Sequence, residues 1–320
     1  MNKRIVLYKR LSPDLLARLE QHVEVTWVDL AQPDGLARLR EALPGAQGLL
    51  GASLRLDASL LDLAPDLEVI ASVSVGVDNY DIADLDRRGV MLTNTPDVLT
   101  ETTADTGFAL ILATARRVVE LANWVREGHW QASLGPAHFG CDVHGKTLGI
   151  VGMGRIGEAL ARRAAAGFGM RVVYHSQRPK PEVQARYNAH RRDLDTLLAE
   201  ADFVCLTVPL SASTEGLIGA RELALMKPDA ILVNISRGRV VDEAALAEAL
   251  QAGRLRGAGL DVFVHEPLAA DSPLLKLDNV VATPHIGSAT EETRQAMARC
   301  AVDNLLSALR GERPANLVNG

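Results

Sequence analysis

The run Thr147-Leu148-Gly149-Ile150-Val151-Gly152-Met153-Gly154-Arg155-Ile156-Gly157 constrains the fold more than any other part of the chain. It reads as a buried strand, a G-x-G-x-x-G turn and the start of a helix. Gly152 permits the tight turn, Gly154 lets the backbone approach a pyrophosphate, and Gly157 lets the helix pack close to the strand. The N–H groups at the start of the helix then face the phosphates. A glycine turn alone is a weak signal. Here an apolar strand precedes it and a helical run, Glu158 to Ala164, follows, which is the context of a dinucleotide site. The turn lies near the middle of 320 residues, so a unit of substantial size must come before it.

A chain of 320 residues fits two domains better than one core. With 48% hydrophobic and 23% charged residues, the composition is that of a globular protein. No apolar run is long enough to span a bilayer, and the N-terminus enters a strand directly without a signal-peptide pattern. A cytoplasmic protein with no membrane partner is expected. The net charge of −6 argues against a nucleic-acid surface. Cys141, Cys205 and Cys300 lack metal-ligand spacing and read as isolated thiols of a reducing compartment.

The first hundred residues alternate strand and helix. Strands are expected at Arg4 to Tyr8, Val23 to Val28, Gly48 to Ala52, Val69 to Val73 and Val90 to Asn94. Ser12 reads as an N-cap with Pro13 at the first helical position. A long helix is expected from Glu101 to Glu120, then a loop-rich stretch to Gly145. Six strands follow, at 147–151, 171–174, 203–207, 230–234, 257–260 and 280–282, as in a Rossmann sheet. The last helix, Thr290 to Arg310, is expected to return to the first domain. The predicted class is α/β with two Rossmann-like domains: a parallel-sheet cofactor domain inserted into a smaller flavodoxin-like substrate domain. The expected boundaries are 1–98 with 288–320 for the substrate domain and 99–287 for the cofactor domain. Two crossing segments would then form a hinge beside a ligand cleft.

Several ordered motifs carry a family resemblance: Ser72-Val73-Ser74-Val75-Gly76-Val77-Asp78-Asn79, the glycine turn, Asn234-Ile235-Ser236-Arg237-Gly238, Asp242 to Leu246, Asp261-Val262-Phe263, Glu266-Pro267 and Thr283-Pro284-His285-Ile286-Gly287. On these the chain resembles the D-isomer-specific 2-hydroxyacid dehydrogenases over almost its full length. Within that family it looks most like the glyoxylate/hydroxypyruvate and 2-ketogluconate reductases. The resemblance implies reduction of a small 2-oxo acid to a D-2-hydroxy acid by hydride transfer from a nicotinamide.

Such a reaction needs a cation for the carboxylate and ketone, and an acid for the developing alkoxide. Arg237 follows an apolar strand, and its guanidinium can grip a carboxylate bidentately. By itself it reads equally as a loop arginine beside Arg239. His285 also follows an apolar strand, where a lone histidine is more often structural. A carboxylate on one ring nitrogen would orient the imidazole and favour its protonated form. The resemblance pairs His285 with Glu266 in this way and gives Arg237 the substrate. Glu266 alone would read as a solvated loop residue. The adjacent His265 is expected to point away from Glu266. Ser74, Val75 and Gly76 sit where backbone N–H groups can reach an oxyanion. The resemblance gives the Val75 and Gly76 amides to the substrate carboxylate, while the plainer reading is a turn capped by Asp78-Asn79.

Enzymes using NAD place Asp or Glu at the end of the second Rossmann strand. Here that strand runs into His175-Ser176-Gln177-Arg178-Pro179-Lys180, and the first acid is Glu182. Ser176 and Arg178 suit a 2′-phosphate, so NADPH is expected, with NADH as the weaker cofactor. By resemblance, Gly152, Gly154, Arg155, Ile156, Gly157, Thr207, Val208, Pro209, Ile235, Ser236 and Gly287 line the cofactor site. Thr106 is expected near the nicotinamide, and Asp261 is expected to accept from its carboxamide. No metal is expected.

Trp124, His129, Trp130 and Phe139 fall within a stretch at about 120–145 that reads as a local core or, by resemblance, as a dimerisation arm that also offers His138 to a partner's cleft. A homodimer is expected. The alternatives share the fold: an NAD(H)-sensing corepressor-like binding protein, or a dehydrogenase of the D-3-phosphoglycerate or D-lactate type.

Overall fold

Short apolar runs alternate with amphipathic ones along the whole chain, and they build two parallel sheets. The computed structural model describes residues 3–320. One unit comprises the chain up to Leu99 together with Thr290–Gly320, and the other is Thr100–Ala289. The second is thus an insertion in the first.

The first unit contains β1 (Arg4–Leu7), α1 (Pro13–Glu20), β2 (Glu24–Trp27), α2 (Gly35–Ala42), β3 (Gly48–Gly51), α3 (Ala58–Leu61), β4 (Val69–Ser72), α4 (Ile82–Arg88) and β5 (Met91–Thr93). Its strands are parallel in the order β2-β1-β3-β4-β5, a flavodoxin-like order. β3 and β4 are buried at every residue, which is why they read as continuous apolar runs. Two caps differ from expectation. Ser12 has N-cap backbone angles, but its hydroxyl makes no cap bond and pairs with the Asp14 carboxylate instead. Asp81, not Asp78-Asn79, caps α4 by accepting from Asp84 N, while the Asn79 amide donates to Leu54 O.

The second unit contains α5 (Thr100–Ala115), α6 (Val118–Arg126), β6 (Thr147–Val151), α7 (Arg155–Arg162), β7 (Arg171–His175), α8 (Pro181–Tyr187), β8 (His190–Arg191), α9 (Leu194–Glu200), β9 (Phe203–Leu206), α10 (Ala220–Leu225), β10 (Ile231–Asn234), α11 (Glu243–Gln251), β11 (Gly257–Leu260) and β12 (Val280–Ala282). The chain closes with α12 (Glu291–Leu309), which packs on β3 and β4 of the first unit. The second sheet is parallel in the order β12-β11-β10-β9-β6-β7-β8. It has seven strands rather than the expected six. The extra one, β8, is a two-residue edge strand of exposed, charged residues, too short and too polar to carry a periodicity signal.

Alternate residues serve opposite faces. Phe203 and Cys205 of β9 join one apolar cluster with α5 and α7; Val204 and Leu206 join another with α9 and α11. The single helix expected over 101–120 is two. Arg117 takes a left-handed conformation, φ 54°, and turns the chain between α5 and α6. The apolar spacing continues through this residue, so the break has no periodicity signal. The three cysteines are free, and burial pushes the Cys205 thiol up to about 12, which keeps it an unreactive thiol at neutral pH. Among the described residues no helix is long and apolar enough to cross a membrane, and no cluster suits a metal ion.

Candidate active site

In the second sheet β6 and β9 are neighbours, and the chain winds away from them in opposite directions. Ligands of open α/β sheets bind at the carboxyl ends of strands at such a point. The glycine turn lies there. Gly152 has φ 106°, and a Cβ on it would stand 2.8 Å from the backbone of Thr207 and Val208. The Thr207 hydroxyl donates to Gly152 O at 2.6 Å and ties the two strand ends together. A Cβ on Gly157 would stand 2.3 Å from Gly152 O, so that glycine is needed for helix packing. Gly154 is different: a Cβ there meets nothing within 4 Å. No protein contact demands glycine at 154, and the open space in front of it suits a pyrophosphate. Behind the crevice, a Cβ on Gly107 would lie 2.8 Å from Ile235, so α5 packs closely under β10 one residue from Thr106. The Thr106 hydroxyl itself donates to Thr102 O. Val208 is half-buried and Pro209 is exposed, and Pro209 O accepts from the Thr214 hydroxyl.

The loop after β7 carries no carboxylate. Arg178 is exposed and makes no ion pair among the described residues. The Ser176 hydroxyl donates to Arg178 O at 2.6 Å, so its proton is committed within the loop. Beside it lies a cation without a sequence signal: Arg191 of β8 donates to Ser176 O at 3.0 Å and to Gln177 O at 3.2 Å.

Arg237 stands three residues beyond the end of β10, and Asn234 explains how it is held. The Asn234 side chain accepts from Ser236 N and the Ser236 hydroxyl and donates to Arg237 O at 2.9 Å. That staple is buried and orders the turn 234–237. Arg237 also donates to Ser236 O. Its neighbour Arg239 pairs instead with Glu215 at the surface. Gly238 lets the turn meet the segment leading to Glu266, since a Cβ there would fall 1.8 Å from Phe263 C. A backbone contact across 25 positions of sequence thereby sets Arg237 near the Glu266 loop.

Glu266 joins both halves of the candidate site. One oxygen accepts from Phe263 N at 3.0 Å, and the other lies 2.7 Å from His285 Nδ1. Burial works to raise the Glu266 carboxyl. The His285 bond, the Phe263 N–H and the charges of His285 and Arg237 outweigh it and hold the group below its ordinary 4.5. His285 itself has φ 54°, unusual for a residue with a side chain. The buried Asp261 explains why that conformation persists. Its carboxylate accepts from Thr283 Oγ1, Ile286 N and Gly287 N, at 2.7, 2.8 and 2.8 Å, and so grips the turn on both sides of the histidine. Asp261 is thus first a clamp for His285. No hydrogen bond joins His265 to Glu266 or His285 among the described residues.

In the first unit, the turn after β4 has all its carbonyls occupied. Ser74 O accepts from Thr95 N, Val75 O from Asn94, and Gly76 O from the Ser74 hydroxyl. The N–H groups of Val75 and Gly76 have no acceptor among the described residues. Occupied carbonyls and available amides give the turn the character of an anion site.

The stretch 118–139 departs from a local core. Trp124 is half-buried, with its ring 4.9 Å from that of His138. Trp130 and Phe139 are instead 62% and 57% exposed, in company with Val118, Val119, Val125 and Leu134.

Comparison with known proteins adds an independent line. Residues 108–287 match the D-isomer specific 2-hydroxyacid dehydrogenase, NAD binding domain. The glyoxylate/hydroxypyruvate reductase B of Klebsiella pneumoniae (strain 342) is 57% identical over 319 residues, covering 100% of this chain and 99% of the relative. A crystal structure from Thermus thermophilus superposes with a TM-score of 0.91 at 48% identity, covering 98% of this chain and 99% of that one. The NADPH-dependent glyoxylate/hydroxypyruvate reductase of Sinorhizobium meliloti, solved with NADP and malonate, gives a TM-score of 0.86 at 34% identity, with 99% and 97% coverage.

Proposed function

The chain belongs to the D-isomer-specific 2-hydroxyacid dehydrogenases, and from that membership we propose that it uses NADPH to reduce glyoxylate and hydroxypyruvate to glycolate and D-glycerate. The observation that carries this reading is the pairing of His285 with Glu266 beside Arg237. The relatives narrow the substrate: the Klebsiella protein is named for these two 2-oxo acids. The longer 2-ketogluconate is a third candidate from the sequence.

The residues suit a dinucleotide. Gly152, Gly154 and the start of α7 at Arg155, Ile156 and Gly157 take the pyrophosphate, and Ile235, Ser236, Thr207, Val208, Pro209, Gly287 and Thr106 line the remainder. The open space before Gly154 supports this. NADPH, when bound, supplies the hydride for C2 of the substrate. The Glu266 carboxylate holds the proton on His285 Nδ1, which leaves Nε2 to deliver a proton to the developing alkoxide. Arg237 binds the substrate carboxylate and draws charge from the ketone. In the first unit, the turn at Ser74, Val75 and Gly76 suits a carboxylate by its available amides. Asp261 retains one acceptor position for the carboxamide beyond its three protein donors.

Steady-state rates test the whole reading: kcat/KM with NADPH exceeds that with NADH for both substrates, and equal values sink it. Arg178→Ala raises KM for NADPH by about tenfold and leaves KM for NADH within about twofold, because only the former carries the 2′-phosphate. The depressed Glu266 value sets the acid limb. A group held below its ordinary 4.5 contributes fully above that pH and is lost only as pH falls through its lower folded value. Glu266→Gln removes the titrating carboxylate, so the acid limb that it sets is lost from the kcat/KM profile. An unmoved limb means that Glu266 does not set it.

The enzyme acts in the cytoplasm as a homodimer. The exposed apolar side chains of 118–139 support the dimer, since obligate interfaces are apolar and aromatic-rich. Light scattering at micromolar concentration gives twice the chain mass of 34.3 kDa. Trp130→Glu gives the monomer mass.

A further inference from the structure

The β7–α8 loop is held by an arginine whose role in cofactor choice has no counterpart among the site residues named so far. Every carbonyl from Ser176 to Arg178 is occupied from inside the protein. Arg191 takes Ser176 O through Nε at 3.3 Å and Nη2 at 3.0 Å, and takes Gln177 O through the same Nη2 at 3.2 Å. The Ser176 hydroxyl takes Arg178 O. The peptide unit is planar and trans, so a carbonyl turned toward Arg191 turns the next N–H away from it. The amides of Gln177 and Arg178 therefore face the opposite side of the loop, and neither has an acceptor among the described residues.

The charges follow the same logic. Arg192, the next residue, is neutralised by Glu200. Arg191 is bonded to carbonyls and has no carboxylate partner among the described residues, so its positive charge stays uncompensated. Pairing with β7 sets Arg191 opposite Tyr174, and the Tyr174 hydroxyl accepts from Lys180 N at the far end of the loop. Strand and loop thus form one frame.

We propose that Arg191 is a positioning residue for NADPH selectivity: its fork on Ser176 O and Gln177 O turns the Gln177 and Arg178 amides, with the Arg178 side chain, toward a 2′-phosphate. This deepens the cofactor reading above and rests on it. A lysine at 191 keeps the charge but lacks the planar fork that bridges two carbonyls.

Calorimetric titration of the cofactor-free protein tests the proposal with adenosine 2′,5′-bisphosphate and adenosine 5′-monophosphate as probes. The parent prefers the bisphosphate. Arg191→Ala weakens the bisphosphate by about tenfold and the monophosphate by less than about twofold. Arg191→Lys recovers less than half of that loss on a logarithmic scale. The melting temperature reports that both variants are folded, as suits an exposed edge residue. Equal weakening of both probes, no weakening, or full recovery by lysine overturns the positioning role. Arg178→Ala separates the two levels. If it abolishes the bisphosphate preference while Arg191→Ala does not, the cofactor reading stands and the Arg191 proposal falls. If the parent shows no preference, the cofactor reading itself falls.

Discussion

Replacing His285 with glutamine lowers kcat for 2-oxo acid reduction by about 10²–10⁴-fold, the range for loss of a positioned acid. Affinity for NADPH stays within about twofold, because no described contact ties the imidazole to the glycine turn or the β7–α8 loop. Glutamine is close in size and donates a hydrogen bond, but it does not release a proton at neutral pH. The substitution therefore separates hydrogen bonding from proton transfer. Single-turnover rates read the first quantity, and quenching of tryptophan fluorescence by NADPH reads the second. A kcat within about tenfold of the parent assigns the acid elsewhere. His265→Gln is the matched control. His265 is exposed and has no bond to the Glu266 carboxylate, so kcat is unchanged within about twofold. The backbone supports the contrast. His285 is held at φ 54° by a turn from which the Asp261 carboxylate accepts three hydrogen bonds, and strain of that kind persists where the surroundings over-determine it.

Replacing Arg237 with alanine lowers kcat/KM for hydroxypyruvate by about 10³-fold, the upper range for removing one preorganised donor to a developing oxyanion. Lysine recovers part of this loss, since it restores charge but not the bidentate geometry. A second readout follows from the coupling to Glu266. Arg237 is one of the charges that hold Glu266 below its ordinary value, so the acid limb of the pH profile rises in Arg237→Ala. The group is partly exposed and the shift is correspondingly small. An alanine variant with full kcat/KM removes Arg237 from the substrate site. Loss of kcat/KM with an unmoved acid limb separates substrate binding from the tuning of Glu266.

Much of the candidate site is legible because its residues end apolar strands. Arg237 follows the buried β10 and His285 follows the apolar but partly exposed β12, and strand ends are where ligands of parallel sheets bind. The glycine turn is legible for a stronger reason: Gly152 and Gly157 are required by the backbone itself, while a Cβ on Gly154 would meet only open space. What holds these residues is far less legible. Asp261 grips a turn 22 positions away at Thr283, and no local pattern announces such a bond. Asn234 is the partial exception, since an Asn followed two residues later by Ser suits an Asx-type turn.

The class of fold, the insertion of one α/β unit within another and the chemical character of the candidate catalytic groups are readable along the chain. Those follow from periodicity, glycine placement and residue type, which are local properties. Folding in three dimensions settles which polar groups are already committed. It turned the Ser176 proton inward, set Asp261 on the histidine turn, broke a helix at Arg117 and brought Arg191 to the β7–α8 loop through a strand of two residues. A side chain has a few hydrogen-bonding positions, and distant segments meeting in space determine which groups take them.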